Sequence, residues 1–278
     1  MAQHFGNVDY YRFIRALLAD WEHRSQELPA ILSDVAQRIF VTGSNLHSFT
    51  GERTDLDRYW EVGQTLSLGT AVSEARLIIP ELQLQNEAFI VPTDICFVAK
   101  ADSGRDAHVD YSGLWPVTAR ALNYDYLWNE IRVKGGAYGC GLRVGSNGNL
   151  GFYTYRDPNL DASLARMDAA ASYIGAFDPT PTDMDGYIVS TVAAHDAPQR
   201  PRQIARRQDT AFITGRTPEW REQIRSEELA ATPEQIRPLA GSLERLSDRN
   251  AVCVFGSREI IEHSEADLTV IDLIGCDQ

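Results

Sequence analysis

Apolar residues recur at helical spacing over residues 9–23, at Phe13, Ile14, Leu17, Leu18 and Trp21, and this spacing predicts an amphipathic helix. Residues 28–40 repeat the pattern with Ile31, Leu32, Val35 and Ile39, entered through Pro29. A short polar link joins the two, which predicts an antiparallel pair. A Gly-Ser-Asn turn at 43–45 follows, then an alternating run at 46–50 that suits a strand, then a helix over 54–62. This opening piece has too little sheet to close a domain by itself. Residues 63–86, low in aromatics and interrupted by Gly69 and Pro80, make the candidate linker.

Beyond it the pattern turns to strands. Two β-rich runs at 88–91 and 95–99 are parted by Pro92, which implies a sheet edge or a bulge there. A polar loop over 101–110 precedes a central helix starting near Ser112, with Leu114, Val117, Ala121, Tyr124, Leu127 and Ile131 as its inward stripe. That helix meets the double glycine Gly135-Gly136, and a strand leaves at Tyr138. Asn147-Gly148 between the runs 138–145 and 149–156 predicts a tight hairpin. Asp157-Pro158-Asn159 then stops the strand and opens a helix carrying Leu160, Leu164, Met167, Ala171 and Ile174. Another begins near Thr182 and breaks at Pro198; the basic segment 202–214 ends at Gly215, a C-cap. Thr217-Pro218 and Thr232-Pro233 begin two more, the second with a capping-box pattern. The last clear strand is 251–255. Strand pairs followed by several helices, without a strict βαβ rhythm, predict an α+β fold with helices packed on one face of a largely antiparallel sheet.

Composition narrows the function classes. A net charge of -13 on 278 residues argues against a nucleic-acid surface and is compatible with basic partners. No run approaches the ~18 apolar residues of a membrane span, and MAQHFGNVDYYRF has no basic start followed by an apolar core. The expectation is a soluble, cytoplasmic chain with no membrane partner. Cys96, Cys140, Cys253 and Cys276 lie far apart without CxxC pairing, which suits reduced packing residues rather than a disulfide framework.

Candidate chemistry concentrates where the central helix stops. Arg132 stands near its end and Tyr138 just past the glycines, so a helix and a strand can aim a permanent cation and a phenol at one point. Singly, each has an ordinary structural reading: an arginine bonded to helix-end carbonyls, a half-buried strand tyrosine. Together, with Gly135 and Gly136 keeping side chains out of the space between them, they point to a fixed pair of hydrogen-bond donors. Trp128 reads equally as a core-face aromatic or as a wall of a substrate pocket. The glycines 136, 139, 141, 145 and 148 follow a helix and enter a strand, the reverse of a phosphate cradle. Arg200, Arg202, Arg206 and Arg207 read as a solvated helix face. None of His4, His23, His47, His108, His195 and His263 has a second histidine four residues on, so neither H-x-x-E-H nor H-E-x-x-H is present.

The segment from Glu130, of the form ExRxKGGAYGxG, with YTYRDPN at 153–159 behind it, resembles the C-terminal half of the pitrilysin and insulysin superfamily of zinc endopeptidases, most closely the presequence-protease branch. The resemblance spans roughly Glu87 to the end, and Trp128 departs from it, since a polar residue or a histidine stands there in the family pattern. It implies residues 1–66 as the closing fragment of a third domain, 67–86 as linker, and 87–278 as the last, fourth domain. It further implies that zinc is held by an N-terminal half absent from this chain, and that Arg132 and Tyr138 polarise the scissile carbonyl of an unstructured peptide, with Gly135, Gly136 and Trp128 around the substrate. A chain of this kind is expected to be inactive alone. The alternative the resemblance allows is a non-catalytic interaction subunit of the same superfamily.

Overall fold

The computed structural model describes residues 7–40, 46–64, 85–104 and 109–275. The chain divides into two compact units, Met1–Leu82 and Gln83–Gln278.

In the first unit the helices are Asn7–Ala19, Trp21–Ile39 and Arg53–Gln64. The break between the first two falls at Asp20 (φ -118°, ψ 34°), not at the polar link, and Pro29 lies inside the second helix. The polar residues that read as a link are helical, with His23 reaching toward Asp20 at 3.5 Å and Glu27 at 3.7 Å on the same face. Residues 46–50 form no strand: among the described residues no neighbour supplies the ladder hydrogen bonds a strand needs. The turn at 43–45 and most of the linker lie outside the described residues. Leu17 is the one buried apolar side chain described in this unit, while Phe13, Trp21, Leu32, Val35 and Ile39 are exposed. Among the described residues its helices carry amphipathic stripes that no core covers.

The second unit is built on one sheet of six strands: β1 Glu87–Ile90, β2 Cys96–Asp102, β3 Gly139–Val144, β4 Leu150–Asp157, β5 Val252–Gly256 and β6 Thr269–Asp272. Their order is β3-β4-β2-β5-β1-β6. The β3/β4, β4/β2 and β2/β5 pairs are antiparallel; β1 runs parallel to both β5 and β6. Strand β6 escapes the sequence pattern because it is a short edge strand, exposed or half-exposed throughout, with no buried alternation to reveal it. Pro92 lies in the bend between β1 and β2, both interior strands, so it marks no edge; the register irregularity in β2 falls later, between Cys96 and Val98.

Alternate strand residues point to opposite faces. Val98 and Lys100, Leu150 and Phe152, and Val252 and Val254 are buried in the core shared with the helices. Phe97, Tyr153 and Tyr155 alternate with them on the other, more open face. The helix Leu114–Ala121 continues as a π-helix, Leu122–Val133, whose i to i+5 pattern is seen in Lys134 N–H donating to the Asn129 carbonyl at 3.0 Å. The wider turn changes which residues face inward: Leu122, Leu127 and Ile131 are fully buried, and Tyr124, expected in the stripe, is 58% exposed. The same helix seals the outer edge of β3, where Asn123 Oδ1 accepts from Leu142 N–H at 2.6 Å and Asn123 Nδ2 donates to the Leu142 carbonyl at 3.1 Å.

Thr217 and Thr232 begin their helices as the sequence indicates, Thr217 Oγ1 accepting from Trp220 N–H at 3.2 Å and Gln235 Oε1 from Thr232 N–H at 3.1 Å. Gly215 closes the Pro201–Ile213 helix with φ 68°. The helix after Asp157-Pro158-Asn159 is interrupted at Ala169 into Leu160–Asp168 and Ala170–Gly175, yet Leu160, Leu164, Met167, Ala171 and Ile174 all reach the core.

Candidate functional site

The helix-to-strand corner at Gly135-Gly136 is fixed from several sides. Gly136 adopts a left-handed conformation (φ 82°), and its N–H donates to the Arg132 carbonyl at 2.9 Å, satisfying a carbonyl that the helix end leaves free. Gly135 is buried, and its carbonyl accepts from Asn159 Nδ2. Asn159 N–H in turn donates to Asp157 Oδ1 at 2.9 Å, and the Arg156 carbonyl accepts from Tyr138 N–H at 3.2 Å. The RDPN turn therefore acts as a clamp behind the glycine corner.

In front of the corner lie Arg132, Tyr138 and Trp128. Arg132 Nη1 donates to the main-chain carbonyl of Tyr138. Its guanidinium carbon stands 4.1 Å from the Trp128 ring centroid and 5.3 Å from that of Tyr138, so the cation is held against two aromatic faces. Tyr138 is 64% exposed and Trp128 42%. Trp128 is thus no core aromatic: the π-helical register carries it to the surface beside Arg132, where it replaces the core contacts with a cation–π contact. The row continues onto the open face of the sheet, with Tyr138 edge-on to Tyr155 at 6.0 Å and Tyr155 edge-on to Phe97 at 5.3 Å. Tyr155 and Phe97 were missed at the level of sequence; their only signal was their place on the outward-facing alternation of strands β4 and β2.

Arg132 uses one of its five N–H groups in this arrangement. The Tyr138 hydroxyl makes no hydrogen bond among the described residues. The corner thus offers a permanent cation whose position is set by its own backbone contact, a phenol beside it, and exposed backbone at Gly136; Gly135 is buried, with the Ile131 carbonyl and Arg166 where a side chain would stand, so it shapes the corner instead of flooring it. Cys140, the residue after Gly139, is held in its protonated form: burial first, and then the charge of Asp157, pushes its thiol up to about 11.

Among the described residues no group of three or more His, Cys, Asp or Glu side chains is placed to hold a metal. Cys96, Cys140 and Cys253 are free thiols.

The family described as PreP C-terminal domain matches residues 86–255. Protein HypA of Clostridium perfringens is 27% identical over 260 residues, which cover 93% of this chain and 26% of that protein. Presequence protease 1, chloroplastic/mitochondrial, of Arabidopsis thaliana is 25% identical over 271 residues, 94% of this chain and 25% of that protein. The chain therefore spans about a quarter of the length of these relatives. The fold is similar to that of a peptidase M16 inactive domain from Pseudomonas fluorescens, with a TM-score of 0.52 at 15% identity over 74% of this chain and 51% of that one.

Proposed function

Since the chain belongs to the PreP C-terminal domain family, we propose that it is the peptide-binding half of a zinc metalloendopeptidase that degrades unstructured peptides in an enclosed chamber. Its partner is the N-terminal half of the same peptidase. On this reading the zinc is held by that partner, since the six histidines of this chain form neither H-x-x-E-H nor H-E-x-x-H.

The observation that carries this reading is the contact between Arg132 and Tyr138 at an exposed glycine corner. When a peptide carbonyl is attacked, negative charge gathers on its oxygen, and donors already fixed at that point stabilise it without having to reorganise. Arg132 supplies cationic N–H groups, and its bond to the Tyr138 carbonyl removes freedom that an unanchored arginine would lose on binding. Tyr138 supplies an O–H donor. Gly136, exposed and with open space where a side chain would stand, allows a substrate backbone close to both. Trp128, Tyr155 and Phe97 give the peptide's apolar side chains a surface beside the donors.

Mixing this chain with the N-terminal half in the presence of zinc tests the proposal. Cleavage of an unstructured peptide should rise above that of the N-terminal half alone. Arg132→Ala should then lower turnover by about 100- to 1000-fold, the cost of removing one donor from an oxyanion site, with metal content unchanged. Association of the two halves without any gain in cleavage would sink this reading and favour a non-catalytic interaction subunit.

A further inference from the structure

A second site lies at the far end of β3 from Tyr138, about 20 Å along the strand at ~3.3 Å per residue. It is a cleft of about 780 Å³ between the C-terminal end of the Pro181–Asp196 helix, the helices Pro201–Ile213 and Pro218–Leu229, and the β3 end at Val144 and Ser146. That volume falls in the range of small-molecule sites. In a chain of net charge -13 its wall is rich in cations: Arg206, Arg207, Arg216, Arg221 and Arg225. Arg206 and Arg207, read from sequence as a solvated face, here line a concave surface.

The cleft carries both signs of charge, and the groups are unequally committed. Arg225 is held by a two-pronged bond to Asp196, at 2.9 and 2.7 Å. Arg221 donates to Gln208 Oε1 at 3.2 Å, and the Arg216 guanidinium lies 5.6 Å from the Trp220 ring centroid. Arg206 and Arg207 have no partner among the described residues. At the other extreme Glu228 is fully buried: its Oε1 meets His195 Nε2 at 2.9 Å, and its Oε2 is without a hydrogen-bond partner among the described residues. A buried carboxylate oxygen without a donor is costly, and this one borders an open cleft. Between the two extremes stands an aromatic wall, Trp220 stacked on Tyr111 at 6.0 Å and 21°.

We propose that this cleft binds a short peptide with free termini. Its carboxylate would sit on Arg206 and Arg207, its apolar side chain on Trp220, and its ammonium on the Glu228 side. A zwitterion fits because the cleft offers a seat for each sign of charge: the unpartnered Arg206 and Arg207 on one side and the unpartnered Glu228 Oε2 on the other. The proposal rests on the peptidase reading for its source of ligand, since short peptides are what a peptide-degrading enzyme releases; the cleft is a product site away from the Arg132 corner.

Calorimetric titration of the full chain with the tripeptide Ala-Phe-Ala tests this, with its C-terminally amidated and N-acetylated forms and inorganic pyrophosphate as further arms. The free tripeptide is expected to bind, with affinity falling at least about tenfold on amidation, on acetylation, and in Arg206→Gln/Arg207→Gln, whose exposed side chains can change without disturbing the core. Arg132→Ala should leave this binding unchanged while it lowers cleavage, which separates the two proposals. Equal binding of the capped and free peptides overturns the site, as do pyrophosphate binding more tightly than the tripeptide, loss of binding in Arg132→Ala, and no binding at all.

Discussion

The two adjacent glycines of the central corner should respond differently to the same small change, because each is required for a separate physical reason. A methyl group at Gly135 would stand 2.4 Å from the Ile131 carbonyl oxygen and 2.6 Å from Arg166 Nη1, where real Cβ contacts stay above 3.0 Å. The helix end must therefore open by about 0.6 Å, and Ile131 is fully buried in the core. Overpacking of that kind costs about 3 kcal/mol, the upper part of its usual range. At Gly136 the space is open, with Pro158 Cγ at 3.6 Å the one atom within 4 Å among the described residues, but φ is 82°. Alanine there costs about 1–2 kcal/mol from conformation alone. Asparagine tolerates the left-handed region, so Gly136→Asn should recover much of that loss, while Gly135→Asn should be at least as damaging as Gly135→Ala. Urea unfolding of the four variants, followed by circular dichroism and compared at equal slope, reads the order. A Gly135→Ala variant no less stable than Gly136→Ala, or equal rescue by asparagine at both positions, would refute the steric argument.

Lys100 is 1% exposed and its ammonium pairs with Asp168. Asp168→Ala should cost about 3 kcal/mol, the low end for a stranded buried charge because Asp168 itself is open to water, while Lys100→Met should cost far less; similar losses in urea unfolding would contradict this. Burial pushes the Cys96 thiol up to about 12, helped by Asp157 and Asp161, and the Cys253 thiol up to about 11, as it does Cys140. A raised thiol stays protonated as the pH climbs through its ordinary range, so at pH 8 only about one Cys140 or Cys253 in a thousand is thiolate. Iodoacetamide at pH 8 should therefore label these three sites slowly until the chain is unfolded. Site-resolved mass spectrometry checks it, and fast labelling of the native chain at Cys140 or Cys253 would show that burial does not protect them.

The sequence was most legible where one residue's requirements are met by its near neighbours. The Gly136 corner, the Asn147-Gly148 hairpin between β3 and β4, the threonine caps at 217 and 232, and the Gly215 C-cap all stand where the pattern places them. Errors came where a local pattern fits more than one outcome. Polar residues 24–27 suit a link or a helix face, and they are helix; residues 46–50 alternate but have no described partner strand; Tyr124 fits a 3.6-residue stripe that the π-helix does not follow.

What the sequence by itself determined about this chain is its local grammar: helix ends, turns, the apolar stripes, and the juxtaposition of Arg132 with Tyr138 across a glycine break. Such features depend on sterics and hydrogen bonds reaching only a few residues along the chain, so neighbouring residue types suffice to specify them. Tertiary structure alone decided that β1 lies parallel between β5 and β6, that Trp128 turns outward to hold the Arg132 cation, and that Tyr155 and Phe97 extend the row. It also brought Arg207, Trp220 and Glu228 around one cleft. These outcomes depend on which distant surfaces pack together, and on the helix register that packing enforces, neither of which is written in any short run of residues.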